Sequence, residues 1–403
     1  MLQTNAADTH DAVDANLRQP RFPSVGVMAF VPDRWDAIGS SRSHVLTRLA
    51  RYFRVLWIEP ARGWRTALRP PSASGPDGSV RPTGFDVYAP EAWLPRVGRP
   101  RWLGVATHRL RVRRARDRLA RRGCERFVLY LWRPEYGSVL SAIPHDLSCY
   151  HIDDEYSFSR TDQPIDDDER QLLRQVDQVI VHSPALLEKK GSLNPSTTLV
   201  PNGVDYRAHA TPAPEPSDLR GVPRPRIGYT GRVKRQLDWP LIEELVLRHE
   251  NWNFVFVGAH APHEEVHEVV ARLSRRSNLS FLGAKSVEEL AVYPQHFDVC
   301  IMPYRIDDYT KYIYPMKLHE FLASGRPTVG TAIRSLEEFK DVIALPETPA
   351  EWTKAICGAL TPEAQSSERV AARRAVARRH DWDRLVARIA RAMGRGLGLD
   401  IDS

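Results

Sequence analysis

Cysteine is scarce in this chain: four residues in 403, Cys124, Cys149, Cys300 and Cys357, widely spaced and without a C-x-x-C pair. That gives no disulfide framework and no thiolate zinc spacing, so free thiols in a reducing compartment are expected. Long apolar runs are missing too. With no stretch of eighteen such residues, no helix is expected to span a membrane. The first twenty residues lack the basic-then-apolar order of a secretory signal and are polar and acidic, which predicts a disordered leader over residues 1–20. No repeat or low-complexity array is visible. A cytoplasmic protein is the expectation these absences share.

What is present fits a globular α/β chain. Hydrophobic residues make up 42% and charged residues 27%, and 403 residues leave room for two domains of roughly 200 residues each. Short apolar strands alternate with helical patterns, which argues for parallel sheets covered by helices. Strands are predicted at residues 24–30, 54–59, 127–132, 147–152, 178–182 and 198–201, with helices at 41–52, 109–122, 167–176 and 184–190 between them. A second series places strands at 226–230, 253–258, 279–282, 298–303 and 327–330, with helices near 239–248, 263–275 and 287–293. Residues 69–84, rich in Pro, Gly and Ser, read as a loop. Residues 207–225 contain five prolines and no period, so they read as a linker between an N-terminal domain at 21–206 and a C-terminal domain at 226–380. Residues 363–395 are predicted to be helical throughout, with Leu385, Ile389 and Met393 at helical spacing, and 381–403 form the terminal helix.

The charge balance is basic, 57 Lys and Arg against 50 Asp and Glu. The excess is concentrated in residues 96–122, which hold eleven Arg against the single Asp117, with Trp102 and Leu103 among them. Basic residues interleaved with apolar ones suit an interfacial helix on anionic lipid, which would make the protein peripheral on the inner face of the plasma membrane; the alternative is a solvated helix. Nucleic acid is not an expected partner, because no recognised binding module accompanies the charge.

The most informative stretch is residues 314–331, YPMKLHEFLASGRPTVGT. Lys317 and Glu320 are three apart and share one face of a short helix, which Ser324, Gly325 and Pro327 end before the strand TVGT. A carboxylate and an ammonium thus project beside a strand end, where open α/β sheets bind ligands. The pair suits a sugar nucleotide, Glu320 accepting from ribose hydroxyls and Lys317 meeting the diphosphate; a surface Lys and Glu pair is the bland alternative. Upstream, residues 226–235 read RIGYTGRVKR, a strand and glycine turn at Gly231 followed by the cations Arg232, Lys234 and Arg235. That turn lets backbone N–H groups approach a phosphate.

These segments, with VPNGVD at 200–205 and HDWDRL at 380–385, resemble the GT-B fold glycosyltransferases, in particular the retaining bacterial group that acts on cell-surface glycans and includes teichuronic acid and exopolysaccharide transferases. The resemblance covers nearly the whole chain. It implies two Rossmann-like domains facing across a cleft, with the last helix crossing back onto the first domain. It also implies a nucleotide-sugar donor, UDP-linked, and a glycan or polyisoprenyl-linked acceptor, with no cofactor and no metal. Glu320 would hold the ribose, and Arg232, Lys317, Gly231, Lys234 and Arg235 the diphosphate. Tyr312 stands where many retaining members carry a second Glu, and Pro315 precedes the Lys and Glu pair; both are placed with the donor.

On the acceptor side, YHIDDEY at 150–156 ends a strand with an acidic cluster. His151, Asp153 or Asp154 contacts acceptor or sugar there, an inverting enzyme would need one of them as general base, and a helix cap is the structural alternative. Gly39 and Ser40, with Ser41 and Arg42, follow the first strand and open a helix, facing either a phosphate or nothing more than their own N-cap. Tyr309 and Thr310 are candidates for the sugar pocket, His260 and His263 for the base or acceptor. Two rival readings keep the fold: a non-hydrolysing sugar-nucleotide epimerase, and a non-catalytic membrane-associated binding protein.

Overall fold

The computed structural model describes residues 19–35, 39–61, 81–91, 93–94, 101–156 and 165–402. Most of the predicted leader and of the 69–84 loop lies outside these residues. The N-terminal half runs β1 (Phe22–Phe30), α1 (Ser41–Leu49), β2 (Phe53–Ile58), β3 (Phe85–Tyr88), α2 (Arg101–Ala120), β4 (Arg126–Leu131), β5 (Leu147–Ile152), α3 (Asp167–Gln175), β6 (Gln178–Val181), α4 (Pro184–Lys190) and β7 (Thr197–Leu199). All seven strands are parallel, in the order β3-β2-β1-β4-β5-β6-β7. A parallel sheet is covered on both faces, so its strands read as continuous apolar runs. Along β1 the side chains alternate: Val27 and Ala29 join one core with Tyr130 and Trp132, while Met28 and Phe30 join the other with Leu129 and Leu131.

A short helix, α5 (Tyr206–Ala210), capped by Asp205, opens the segment predicted as a featureless linker. The second sheet follows, with β8 (Arg226–Thr230), α6 (Trp239–Arg248), β9 (Asn253–Val257), α7 (Glu264–Leu273), β10 (Leu279–Phe281), α8 (Val287–Leu290), β11 (Val299–Met302), α9 (Lys317–Ser324) and β12 (Thr328–Gly330). Its order is β10-β9-β8-β11-β12, again all parallel. The chain closes with α10 (Pro349–Ala359), α11 (Ser367–Arg379) and α12 (Trp382–Leu397).

The continuous helix predicted over 363–395 is broken. Asp381 takes an extended conformation, its side chain accepts the Asp383 N–H and caps α12, and its backbone bridges to Val204. Val204 N–H donates to the His380 carbonyl and Trp382 N–H donates to the Val204 carbonyl, each at 3.0 Å. At this crossing a Cβ on Gly203 would sit 2.6 Å from the His380 oxygen, so the close approach needs glycine. Beyond it, Trp382, Leu385, Ile389, Met393 and Leu397 bury one helical stripe in the core of the N-terminal domain. Arg48 of α1 ties the crossing together, with Nε 2.7 Å from Asp383 and Nη2 3.1 Å from Asp205.

Candidate functional site

The glycine turn after β8 is fixed by its neighbours. Gly231 has φ +112°, its N–H donates to the Val257 carbonyl at 2.8 Å, and Val233 N–H donates to Ala259 at 2.9 Å. Gly258 lies so close that a Cβ there would be 2.2 Å from the Gly231 oxygen, and its own φ is +146°. Two glycines therefore let two strand ends meet and leave the turn facing α9.

Lys317 opens α9, and Gly325, at φ +83°, ends it. The Lys317 ammonium donates to the Tyr304 hydroxyl at 3.0 Å and lies 5.0 Å from the centre of the Tyr229 ring. A Cβ on Gly231 would be 3.3 Å from that Nζ, so the lysine rests against the turn. Lys234 brings a second ammonium to 5.9 Å from the Tyr304 ring. Burial works against the charge on Lys317, yet the Tyr229 and Tyr304 oxygens and Glu320 outweigh it and hold the pKa up. Burial pulls Lys234 down, and the neighbouring Lys317 adds to the pull. Two half-buried ammoniums around one tyrosine make a place that gains from an anion.

A cavity of about 850 Å³ separates the domains. Gly231, Lys317 and Glu320 line it from the C-terminal domain, Gly39, His44 and Arg48 from the N-terminal one, and Trp382 from the crossing. The structure thus brings Gly39, Gly231, Lys317 and Glu320 to one cavity. Arg232 and Arg235 are exposed on the same turn and do not line it. Ser40 serves as the N-cap of α1, its hydroxyl accepting from Ser43 N–H.

Several predicted residues are placed elsewhere. Tyr312 is buried in the core of the N-terminal domain with Ile165 and Leu186, packing where a donor-binding role was expected. Pro315 is buried, and its carbonyl accepts from Leu318 at the start of α9. His151 is buried inside its own sheet, with Nδ1 2.8 Å from the Tyr130 hydroxyl and its ring stacked on Trp132 at 4.1 Å. Burial lowers its pKa to about 3, which leaves it neutral. Asp153 pairs with Arg42 at 2.7 Å and accepts from the Tyr156 hydroxyl at 2.7 Å. Burial opposes its charge, but the Arg42 guanidinium outweighs that and holds the carboxyl below its usual range. Asp153 therefore anchors the loop and is not a free base. His263 stands at the N-cap position of α7 without a side-chain capping bond, and His260 packs edge-on to Phe281; neither lines the cavity.

Asp154 behaves differently. Burial and the adjacent Asp153 push its pKa up to about 6, against Arg133 and Lys234. It is bonded to the Tyr309 phenol, which comes from the other domain, and neither residue lines the cavity itself. Residues the sequence did not single out also contribute. Tyr229 and Tyr304 seat Lys317, and His44 and Arg48 form an i, i+4 pair on α1 with 3.1 Å between their side chains. The spacing was readable; that this face of α1 meets a cavity was not.

Residues 224–361 match the family described as glycosyl transferases group 1. That match lies within the C-terminal half, and the two-sheet architecture of the whole chain is the GT-B fold. Over 201 residues it is 30% identical to the putative teichuronic acid biosynthesis glycosyltransferase TuaH of Bacillus subtilis (strain 168), an alignment covering 48% of this chain. The chain spans about half the length of that curated relative, 50%. In three dimensions the chain superposes on a sucrose-phosphate synthase from Thermosynechococcus elongatus with a TM-score of 0.67 at 18% identity, over 94% of this chain and 99% of that one. An E. coli trehalose-6-phosphate structure bound with UDP-2-fluoro glucose gives 0.65 at 12%, over 93% and 99%. At such identities the match is one of fold, and the group 1 domain holds all the residues of the Gly231, Lys317 and Glu320 wall. No helix among the described residues is long and apolar enough to cross a membrane.

Proposed function

We propose that this chain transfers a sugar, with retention of anomeric configuration, from a UDP-linked donor to a hydroxyl of a glycan or polyisoprenyl-linked acceptor in cell-surface polysaccharide synthesis. The observation that carries the reading is the single wall on which Gly231, Lys317 and Glu320 face one interdomain cavity, with Lys234 behind them. The match to TuaH supports the polysaccharide context. Glu320 accepts from the ribose hydroxyls. Lys317, Lys234 and the turn at Gly231 take the diphosphate, and Arg232 and Arg235 extend the positive field outward. The costly event is departure of the diphosphate, and charges fixed where its negative charge grows lower that barrier. The donor is a substrate, and the reading calls for no cofactor.

Glu320→Ala is expected to raise the donor KM on the order of ten- to a hundredfold, the loss of a charged hydrogen bond being worth roughly 1.5 to 3 kcal/mol. Donor kinetics measured beside a circular dichroism spectrum check this, and unchanged kinetics in a folded variant would remove Glu320 from the site. Scoring a donor panel for UDP release with and without acceptor separates transfer from epimerisation and from binding alone.

Asp154 orients the acceptor hydroxyl in its ionised form. With its pKa lifted to about 6, kcat/KM should fall as pH drops through that value, because protonation removes the acceptor of the hydrogen bond. In Asp154→Asn the rate should be low and this acid limb absent. A profile from pH 5 to 8 decides it: an unchanged limb in the variant assigns the titration to another group.

A further inference from the structure

The helix α2 carries a face the transferase reading does not use. Val112, Ala115 and Leu119 fasten it to the sheet. Arg114 pairs with Glu91, and Arg118 and Arg122 pair with Asp86, so these three arginines are spent on the domain itself. The first three turns of α2 expose apolar side chains instead: Trp102 is 71% accessible, Val105 50% and Leu110 39%, and Trp93, eight residues before the helix, is 62%. Only three other large apolar side chains are exposed among the described residues, Leu247, Val287 and Ile306, and they are scattered over the C-terminal domain. Arg109, Arg113 and Arg121 are exposed on the same side, against the single exposed acid Asp117.

The spacing makes this one surface. Positions 102, 105, 109 and 113 advance by three, four and four residues, so they form a stripe along the helix, about 16 Å long at 1.5 Å per residue. α2 follows β3 and returns to the parallel strand β4, so its N-terminal, apolar end starts at the edge of the sheet where the strands finish. That is the edge on which an α/β sheet opens its binding crevice.

We infer that this face of α2 docks the N-terminal domain on an anionic lipid bilayer, Trp93, Trp102 and Val105 entering the headgroup boundary and Arg109, Arg113 and Arg121 meeting lipid phosphate. Tryptophan belongs at that depth, where its ring is apolar and its N–H is wet, and arginine lays an apolar stem along the surface while its head stays hydrated. A second copy of the chain would bring the same positive charges against this face. A bilayer brings the opposite charge and an apolar interior together. The inference goes beyond the transferase reading and does not depend on it, since docking needs no donor.

The test is sedimentation of the full chain with vesicles of phosphatidylcholine alone and of phosphatidylcholine with phosphatidylglycerol. At low salt the protein should pellet with the anionic vesicles only, and binding should fade as the Debye length falls from about 10 Å at 0.1 M to about 3 Å at 1 M. Each arginine near the surface is worth about fivefold, so Arg109→Ser with Arg113→Ser should lower partitioning about 25-fold. Trp102→Ser with Val105→Ser should lower it on the order of tenfold at constant charge, while Leu247→Ser, an equally exposed control, should not. Brominated acyl chains should quench fluorescence less in Trp102→Phe than in the parent. Failure of the parent to bind anionic vesicles, or equal binding by both double variants, overturns the proposal. So does binding that responds to the arginines alone and transfers to RNA, or a parent dimer that Trp102→Ser dissociates.

Discussion

Lys190→Met should lose about 3 to 5 kcal/mol of stability at neutral pH, a large part of the 5 to 15 kcal/mol that holds a typical domain together. Lys190 is fully buried at the end of α4, with Nζ 2.7 Å from Glu169 and 3.2 Å from Glu155, both buried as well. The Tyr150 hydroxyl donates to Glu169 at 2.8 Å, and Lys189 approaches Glu155 at 3.2 Å. Replacing one ammonium by an apolar chain of similar length keeps the packing but leaves two carboxylates out of water with too little positive charge. Loss of the buried ammonium thus favours proton uptake by the folded variant. A folded state that binds more protons than the unfolded one loses stability as pH rises, so the defect should be largest at pH 7.5 and smaller at pH 5.5. Urea unfolding at the two pH values reads this directly. Equal losses at both would mean that lost packing, not stranded charge, is the cause, and adding Glu169→Gln to the variant should then restore nothing.

That network also explains why the acidic loop was only half legible. Asp153, Asp154 and Glu155 are consecutive in the sequence, and nothing local distinguishes them. The chain leaves β5 after Ile152 and bends at Asp154, and the three side chains part there: Asp153 goes to Arg42, Asp154 to Tyr309 and Glu155 to Lys190. The partners decide the roles, and for Asp153 and Glu155 they lie 111 and 35 residues away in the chain. Tyr312 failed as a donor residue for a similar reason. Its side chain leaves the segment between β11 and α9 to pack in the core of the other domain, a contact that no periodic pattern encodes.

Local rules served well wherever one physical requirement fixes one residue. β5, β8, α4 and α6 stand at the predicted bounds, and α3 ends one residue short of its own, because apolar runs between capping residues leave little choice. Gly325 stops α9 in the left-handed region that glycine alone enters without strain. α10 was missed although its signal was present: Thr348 and Glu351 form a reciprocal capping box around Pro349. The terminal helix expected from residue 381 starts at Trp382, while the bridge of Asp381 to Val204 that fixes this start has no local signal.

Lys317→Ala is expected to lower kcat by about 10² to 10³, equivalent to about 2.7 to 4 kcal/mol, while the donor KM changes far less. A cation that serves the growing charge on a leaving diphosphate matters more in the transition state than in the bound donor, and such a group shows itself in kcat. The position of Lys317 is set before any ligand arrives, by the Tyr304 hydroxyl at 3.0 Å, the Tyr229 ring and the Gly231 turn, so little reorganisation is left for the reaction. Tyr304→Phe should therefore cost less than Lys317→Ala, because it loosens the ammonium without removing it. Lys317→Arg should restore charge but not rate, since a planar fork does not fit where a compact ammonium sits against Gly231. Calorimetry supplies the independent check: UDP should bind Lys317→Ala more weakly than the parent protein, and uridine should bind both alike. Equal losses for uridine and UDP would move Lys317 out of the diphosphate site and into the structural support of the turn.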